Sequence, residues 1–321
     1  PPDLDAPVTP LTEKEMLTEM ENFVNNRVIN DEFSGVVFLA KGDRPVFCKA
    51  SGLASKEYNT ANTAVTRFNL GSINKFFTRI SVEQLCGQGK LAYDDRIGKY
   101  LPDYPNRSAA EKVTIRQLLD MTSGLGDFFG TKYQQTPKNA IRTLNDYLPL
   151  FAAESLLFEP GSNRHYSNGG YVVLGLIIEK ISGQSYYEYI QEHICQVAGM
   201  EQTGYFDADI PQENIASGYT RDWDDQDHSG EARRNNFYSR PARGSSAGGG
   251  YSTAADLHKL MLALIADKLS APEVSQMVKT SGIGIAGGAP GINAAVETNP
   301  QNGFIIIVLS NYDPPSAGAM A

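Results

Sequence analysis

The chain has 321 residues and carries 37 acidic against 28 basic side chains, a formal net charge of -9. No basic stripe is available to neutralise phosphates, which excludes a nucleic-acid or anionic-membrane partner. With 41% hydrophobic and 20% charged residues the composition is that of a globular protein with a large core, and the longest apolar runs, Leu260 to Ala266 and Phe304 to Leu309, fall far short of the roughly 20 residues of a membrane span.

The chain opens Pro1-Pro2-Asp3 with neither an initiator Met nor an apolar leader core. This fits removal of a signal peptide, with a periplasmic or secreted location favoured in that case, or trimming of the chain, which leaves a cytoplasmic one open. Thr12 with Glu15 three residues on is a capping box, and Met16, Met20, Phe23 and Val24 follow as the apolar face of a first helix expected to lie on a sheet. Gly35 to Ala40 and Pro45 to Ser51 are β-rich runs joined by Lys41-Gly42-Asp43-Arg44, a hairpin signal. The three cysteines, Cys48, Cys86 and Cys195, are far apart and fit neither a disulfide framework nor a zinc site; they are expected to be buried small hydrophobes.

Gly71 then breaks an extended run (Val65, Phe68, Leu70), and from Ser72 the residues Phe76, Ile80, Val82 and Leu85 fit one face of a helix. Ser72 falls in its first turn. Positions i and i+3 share a helix face, so the Lys75 amine can reach the Ser72 oxygen, and the unpaired N–H groups of the first turn point at anything bound above it. A nucleophile, an adjacent base and part of an oxyanion hole are thereby placed together. S-x-x-K alone is weak, with about one chance occurrence expected in a chain of this size, and a solvated helix lysine is the plain alternative.

Downstream, Thr114 to Met121 reads as a short helix ending at Ser123-Gly124-Leu125. The chain turns at Glu159-Pro160-Gly161 into His165-Tyr166-Ser167-Asn168, and helices are expected over Tyr171 to Ile181 and Tyr186 to Val197. Tyr166-x-Asn168 is also weak alone, but like Ser72 it lies where a loop meets a buried helix, beside any cleft. His165, next to Tyr166, either shapes the site or packs, with packing the default. The polar span Phe206 to Arg243 is expected to run over the site, and its Trp223 either walls the acyl pocket or pins its own loop. Within it, Asp222-x-Asp224-x-Gln226-x-His228 lacks the glycine of a calcium loop and reads as solvated. Gly244-Ser245-Ser246-Ala247-Gly248 matches the nucleophile elbow of α/β-hydrolases, but no apolar strand precedes it, and Asp256 and His258 fall on one short helix, which Thr253 caps. Gly282 to Gly291 is glycine-dense and Phe304 to Ser310 is a last strand. Strands near both termini around a helical middle predict an α+β fold: one antiparallel sheet with an inserted helical lobe.

Taken together, these blocks resemble the serine β-lactamase and penicillin-recognising superfamily, in the branch that holds class C β-lactamases, D-Ala-D-Ala carboxypeptidases, D-aminopeptidases and family VIII carboxylesterases. The matching stretches are Phe68 to Thr78, Leu91 to Pro102, Thr114 to Leu125, Phe158 to Gly183, Ala198-Gly199-Met200, Ala247 to Leu257 and Gly287 to Gly291. The resemblance implies a single domain over 1–321, with an α/β lobe near 1–70 and 245–321 and a helical lobe near 71–244. It implies that Ser72 is acylated, that Lys75 eases removal of its proton, that Tyr166 is the general base, and that Asn168 orients Lys75 and the substrate. The backbone of Gly287 and Gly288 would supply the second oxyanion donor. Tyr and Lys both titrate near 10 when unperturbed, so one of them must be depressed. No metal or cofactor is implied, and the substrate would be a small ester or amide. One position departs from the family pattern: the third motif, a Lys or His followed two residues later by Gly, aligns here as Ile285-Ala286-Gly287. Loss of that cation weighs against β-lactam and D-Ala-D-Ala peptide turnover more than against ester hydrolysis, so the expected function is a serine hydrolase acting through an acyl-enzyme on Ser72 on small acyl esters, with a β-lactamase or D-amino-acid peptidase as one alternative and a penicillin-binding-like or non-catalytic scaffold protein as another. The oligomeric state is not encoded in any pattern found.

Overall fold

Five antiparallel strands drawn from the two ends of the chain build the central sheet of the computed structural model, which describes residues 12–223, 228 and 230–321. The Pro1-Pro2-Asp3 start, and Asp224 and Gln226 of the acidic loop, lie outside the described residues. In chain order the elements that matter here are α1 (Glu13–Ile29), the hairpin β1 (Gly35–Lys41) and β2 (Arg44–Ser51), α2 (Asn74–Gly87), α3 (Asn168–Ser182), α4 (Ala254–Ile265), α5 (Pro272–Thr280), β3 (Gly284–Ala289), β4 (Ile292–Asn299) and β5 (Phe304–Ser310). The sheet order is β2-β1-β5-β4-β3. Gly35 pairs with Ser310 and Lys41 with Phe304, so the first hairpin is sealed by the last strand.

The near-continuous apolar run of β1 follows from cover on both faces. Val36, Phe38 and Ala40 enter the main core together with α4, and Val37 faces the other way into a smaller cluster with Val24, Phe33, Ala295 and Val308. Helix α1 closes that second face. Its Thr12–Glu15 capping box forms as expected, and Met16, Met20, Val24 and Val28, spaced by four, turn inward. Phe23 does not: it is 47% exposed, one position off the stripe, with the Arg27 guanidinium over its ring.

Helix starts fall where caps were legible. Thr114 caps a short helix at Ile115–Leu119, Thr253 caps α4, and Ser167 caps α3, which begins three residues before Tyr171. The cysteine expectation holds only for Cys195. Cys48 is exposed and Cys86 half-buried, because Cys48 stands on β2, an edge strand with little covering it. His165 is exposed as well, tied to the body through its backbone N–H, which donates to Met121 O, rather than packed. No helix among the described residues is long and apolar enough to cross a membrane.

Candidate active site

The site forms where the start of α2 meets the free edge of the sheet. Phe68–Asn69 pairs with Tyr251–Ser252, and the chain then turns through Gly71, whose φ of +50° lies in the left-handed region that glycine tolerates. Gly71–Ile73 is a 3₁₀ turn running into α2. Lys75 is the second residue of α2, three positions after Ser72, and residues i and i+3 share a helix face. The Lys75 Nζ lies 3.0 Å from Ser72 Oγ.

Strand β3 presses on this turn at close range. A Cβ on Gly71 would lie 2.9 Å from Gly288 N, and one on Gly287 would lie 2.0 Å from Leu70 O and 2.7 Å from Ser72 N. Only glycine permits the approach. Ala289 and Ile292 close a two-residue hairpin with Pro290-Gly291 at its tip, and such a closing pair bonds across the ladder. By alternation Gly287 bonds inward to β4 while the Gly288 N–H points off the sheet edge, toward Ser72. Asn293 Nδ2 donates to Gly287 O at 3.0 Å and fixes the strand from behind. The Gly288 N–H thus stands at the free edge of the sheet, beside the Gly71–Ser72 turn.

Tyr166 and Asn168 reach the same point from the N-terminus of α3, held by the Ser167 cap: the Ser167 hydroxyl accepts from Gly170 N at 2.9 Å and donates to Gly126 O at 2.7 Å. The Tyr166 hydroxyl donates to Ser72 Oγ at 2.5 Å. Lys75 Nζ, 7% exposed as a residue, has two further partners that can only accept: Asn168 Oδ1 at 2.6 Å and Ala247 O at 2.5 Å. The orientation of the Asn168 amide is set by its other end, since Nδ2 donates to Asp127 Oδ2 at 2.7 Å. Burial lowers the Lys75 ammonium from its ordinary value to about 7, and the Asp127 charge acts in the opposite sense. Burial pushes the Tyr166 phenol up, an effect the Ser72 hydrogen bond partly offsets. Of the two groups that share a value near 10 in solution, burial lowers the amine and raises the phenol.

Neither the third-motif position nor the Gly244 to Gly248 loop adds a catalytic side chain, as the sequence leads one to expect. Ile285 faces away from the cleft and packs against the main core, while Ala286 lines the cleft, so β3 brings no cation to the substrate. Ser246 is fully buried, its hydroxyl donating to Tyr171 O at 2.7 Å; His258 bonds to Gly42 O and Asp256 to Gln202 and Thr203, so the elbow triad is not assembled. Trp223 pins its own loop, stacked on His228 with the Arg234 guanidinium 4.0 Å from its ring centroid. Sequence reasoning missed Asp127, the Ala247 carbonyl and Arg240. For Asp127 the available signal was an acidic side chain two residues past the Ser123-Gly124-Leu125 turn, where an Asx bond to Phe129 N now holds it.

Above Ser72 opens a cleft of about 770 Å³. Phe128, Tyr133 and Tyr147 line it together with the two ends of the Phe206 to Arg243 span, through Phe206, Ala208 and residues 239–242. The whole chain compares with a solved penicillin-binding protein from Bacillus halodurans at a TM-score of 0.82 and 31% identity, over 92% of this chain and 97% of that one. A class C β-lactamase superposes at 0.74 with 19% identity, over 97% and 96% of the two chains, a likeness of fold alone. Penicillin-binding protein 4* of Bacillus subtilis is 34% identical over 196 residues, 60% of this chain; the chain spans 43% of that relative's length and 62% of a second Bacillus subtilis penicillin-binding relative's. The Beta-lactamase family model matches residues 20–321, a stretch that contains every element of the Ser72 site, and the chain belongs to that family.

Proposed function

We propose that the protein is a serine hydrolase that forms an acyl-enzyme on Ser72 and acts on small acyl esters. The observation that carries this is the Ser72 oxygen held between the Lys75 amine and the Tyr166 hydroxyl, under two backbone N–H groups. With Asn168 Oδ1 and Ala247 O taking two amine protons, the third direction on Nζ faces Ser72. A neutral Lys75 has its lone pair there and accepts the Ser72 proton as Oγ bonds to the substrate carbonyl carbon. The carbonyl oxygen takes up negative charge between Ser72 N–H and Gly288 N–H. Collapse of the tetrahedral intermediate breaks the ester C–O bond; the Tyr166 hydroxyl protonates the departing alkoxide and recovers a proton from the adjacent Lys75 ammonium, 4.8 Å from its ring centroid. Water then enters the vacated position, gives its proton to the same pair and releases the acid.

Esters are preferred over β-lactams and D-amino-acid peptides in this reading because β3 carries Ile285 and Ala286 where a carboxylate-binding cation would stand, and because the cleft wall is aromatic. The test is intact-protein mass spectrometry after brief exposure to p-nitrophenyl butyrate, a penicillin and a fluorophosphonate, with steady-state rates for the first two. Expected are a fluorophosphonate adduct on Ser72 and fast ester turnover, both lost in Ser72→Ala with its melting temperature retained. Substantial turnover by Ser72→Ala would refute the assignment.

A further inference from the structure

The geometry points to Arg240 as the anchor for a carboxylate on the substrate, remote from the bond that is cut; this rests on the hydrolase reading of the same cleft. Among the described residues, Arg240 is the one charged side chain that lines it. No acidic residue lines it, and no carboxylate lies within ion-pair distance of Arg240 among the described residues, where its only bonded partner is the neutral Tyr251 hydroxyl.

The state of its guanidinium sets it apart from the other arginines. Four have a buried Nε without a hydrogen-bond partner: Arg27, Arg79, Arg233 and Arg240. The first three discharge their charge elsewhere, on Glu32, on Glu83 and Asp120, and on Asp31 and Asp313. Arg240 does not. A cation with no counter-charge, half-buried beside Tyr251 in a protein of net charge -9, is suited to a carboxylate, which it can hold with a charge-assisted bond.

Its placement is also firm. Tyr251, to which it bonds, pairs in register with Asn69, three residues before Ser72, and the Tyr251 ring meets Phe206 at 6.1 Å between centroids. Arg240 follows directly on the short Phe237–Ser239 turn, where the Ser239 carbonyl accepts from the Tyr133 hydroxyl at 3.2 Å. Arg240 thus puts a cation in the cleft from the Phe206 to Arg243 span, at a place other than the third-motif position that Ile285 fills on β3. The substrate class narrows accordingly to esters or amides that carry a carboxylate away from the reacting carbonyl.

The test compares matched pairs with one leaving group or one acyl group in common: p-nitrophenyl glutarate against p-nitrophenyl pentanoate for the acyl side, and p-acetoxybenzoate against p-acetoxybenzamide for the leaving-group side. Wild type should prefer the anionic member of at least one pair. Arg240→Gln should cut that preference, read as the ratio of kcat/KM values, about 10- to 100-fold, the range for losing a charged hydrogen-bonded contact, and Arg240→Lys should restore part of it. An unchanged ratio in Arg240→Gln, or no preference in wild type for either anion, would overturn the proposal. Calorimetric binding of p-nitrophenyl glutarate and of p-acetoxybenzoate to Ser72→Ala, with and without Arg240→Gln, reads the anchor without turnover. Binding of either that weakens about tenfold or more supports it; equal binding of both overturns it. Failure of all esters to turn over, with no adduct on Ser72, would instead remove the hydrolase reading and leave the binding result standing.

Discussion

If Lys75 is the base, the pH dependence of the reaction is fixed by where its ammonium loses a proton. Burial brings that point to about 7, and only the neutral amine can accept from Ser72. For a neutral ester, kcat/KM should therefore rise with pH along a limb of unit slope, at about a tenth of its plateau one pH unit below the Lys75 value and about a hundredth two units below. A Tyr166 phenolate as base gives a different curve, because burial raises that phenol and the rate would still be climbing above about pH 9. A second perturbation tests the cause. The Asp127 charge holds the Lys75 value up against burial, so Asp127→Asn should move the limb to lower pH without changing its slope. Initial rates with p-nitrophenyl butyrate well below KM, followed at the isosbestic wavelength of p-nitrophenol, measure both. A profile flat from about pH 5 to 8, or a limb that moves up in Asp127→Asn, would refute the assignment of Lys75.

Gly287→Ala should fold yet lose about 100- to 1,000-fold in kcat, the range for one oxyanion donor, because its methyl group would meet Leu70 O and Ser72 N and drive β3 off the turn; an unchanged kcat would remove β3 from the oxyanion hole. Ser246→Ala should keep its activity and lose about 1 kcal/mol of stability in chemical denaturation, one neutral hydrogen bond, whereas a dead enzyme would revive the elbow. Lys75→Met should abolish turnover and raise the melting temperature at neutral pH. The sign follows from linkage: the unfolded chain holds the Lys75 proton more tightly than the fold does, so the cost of burial is full below about pH 7 and disappears above the unfolded value near 10.5. A melting temperature lowered at every pH would contradict it.

What could be seen in the sequence was whatever repeats with a period or sits at a cap. Ser72 and Lys75 were legible because a 3₁₀ or α turn gives i and i+3 a common face, Tyr166 and Asn168 because they adjoin a cap, and the strands because their burial writes apolar runs. Phe23 and Cys48 were misjudged on a related point: an apolar residue type says nothing of whether the stripe or strand it stands on is covered. The residues that tune the site have no period at all. Asp127 acts through Asn168 from 41 positions away, and Arg240 stands in an irregular span whose direction only the fold decides. Ile285 shows why such residues matter for function. Read along the chain, the loss of a cation at the third motif suggests a site stripped of its grip on anions. In the fold Ile285 packs against the core and the charge that lines the cleft is that of Arg240, so an empty motif position does not mean an uncharged cleft, and the substrate is better inferred from what lines the cleft than from which motif position is filled.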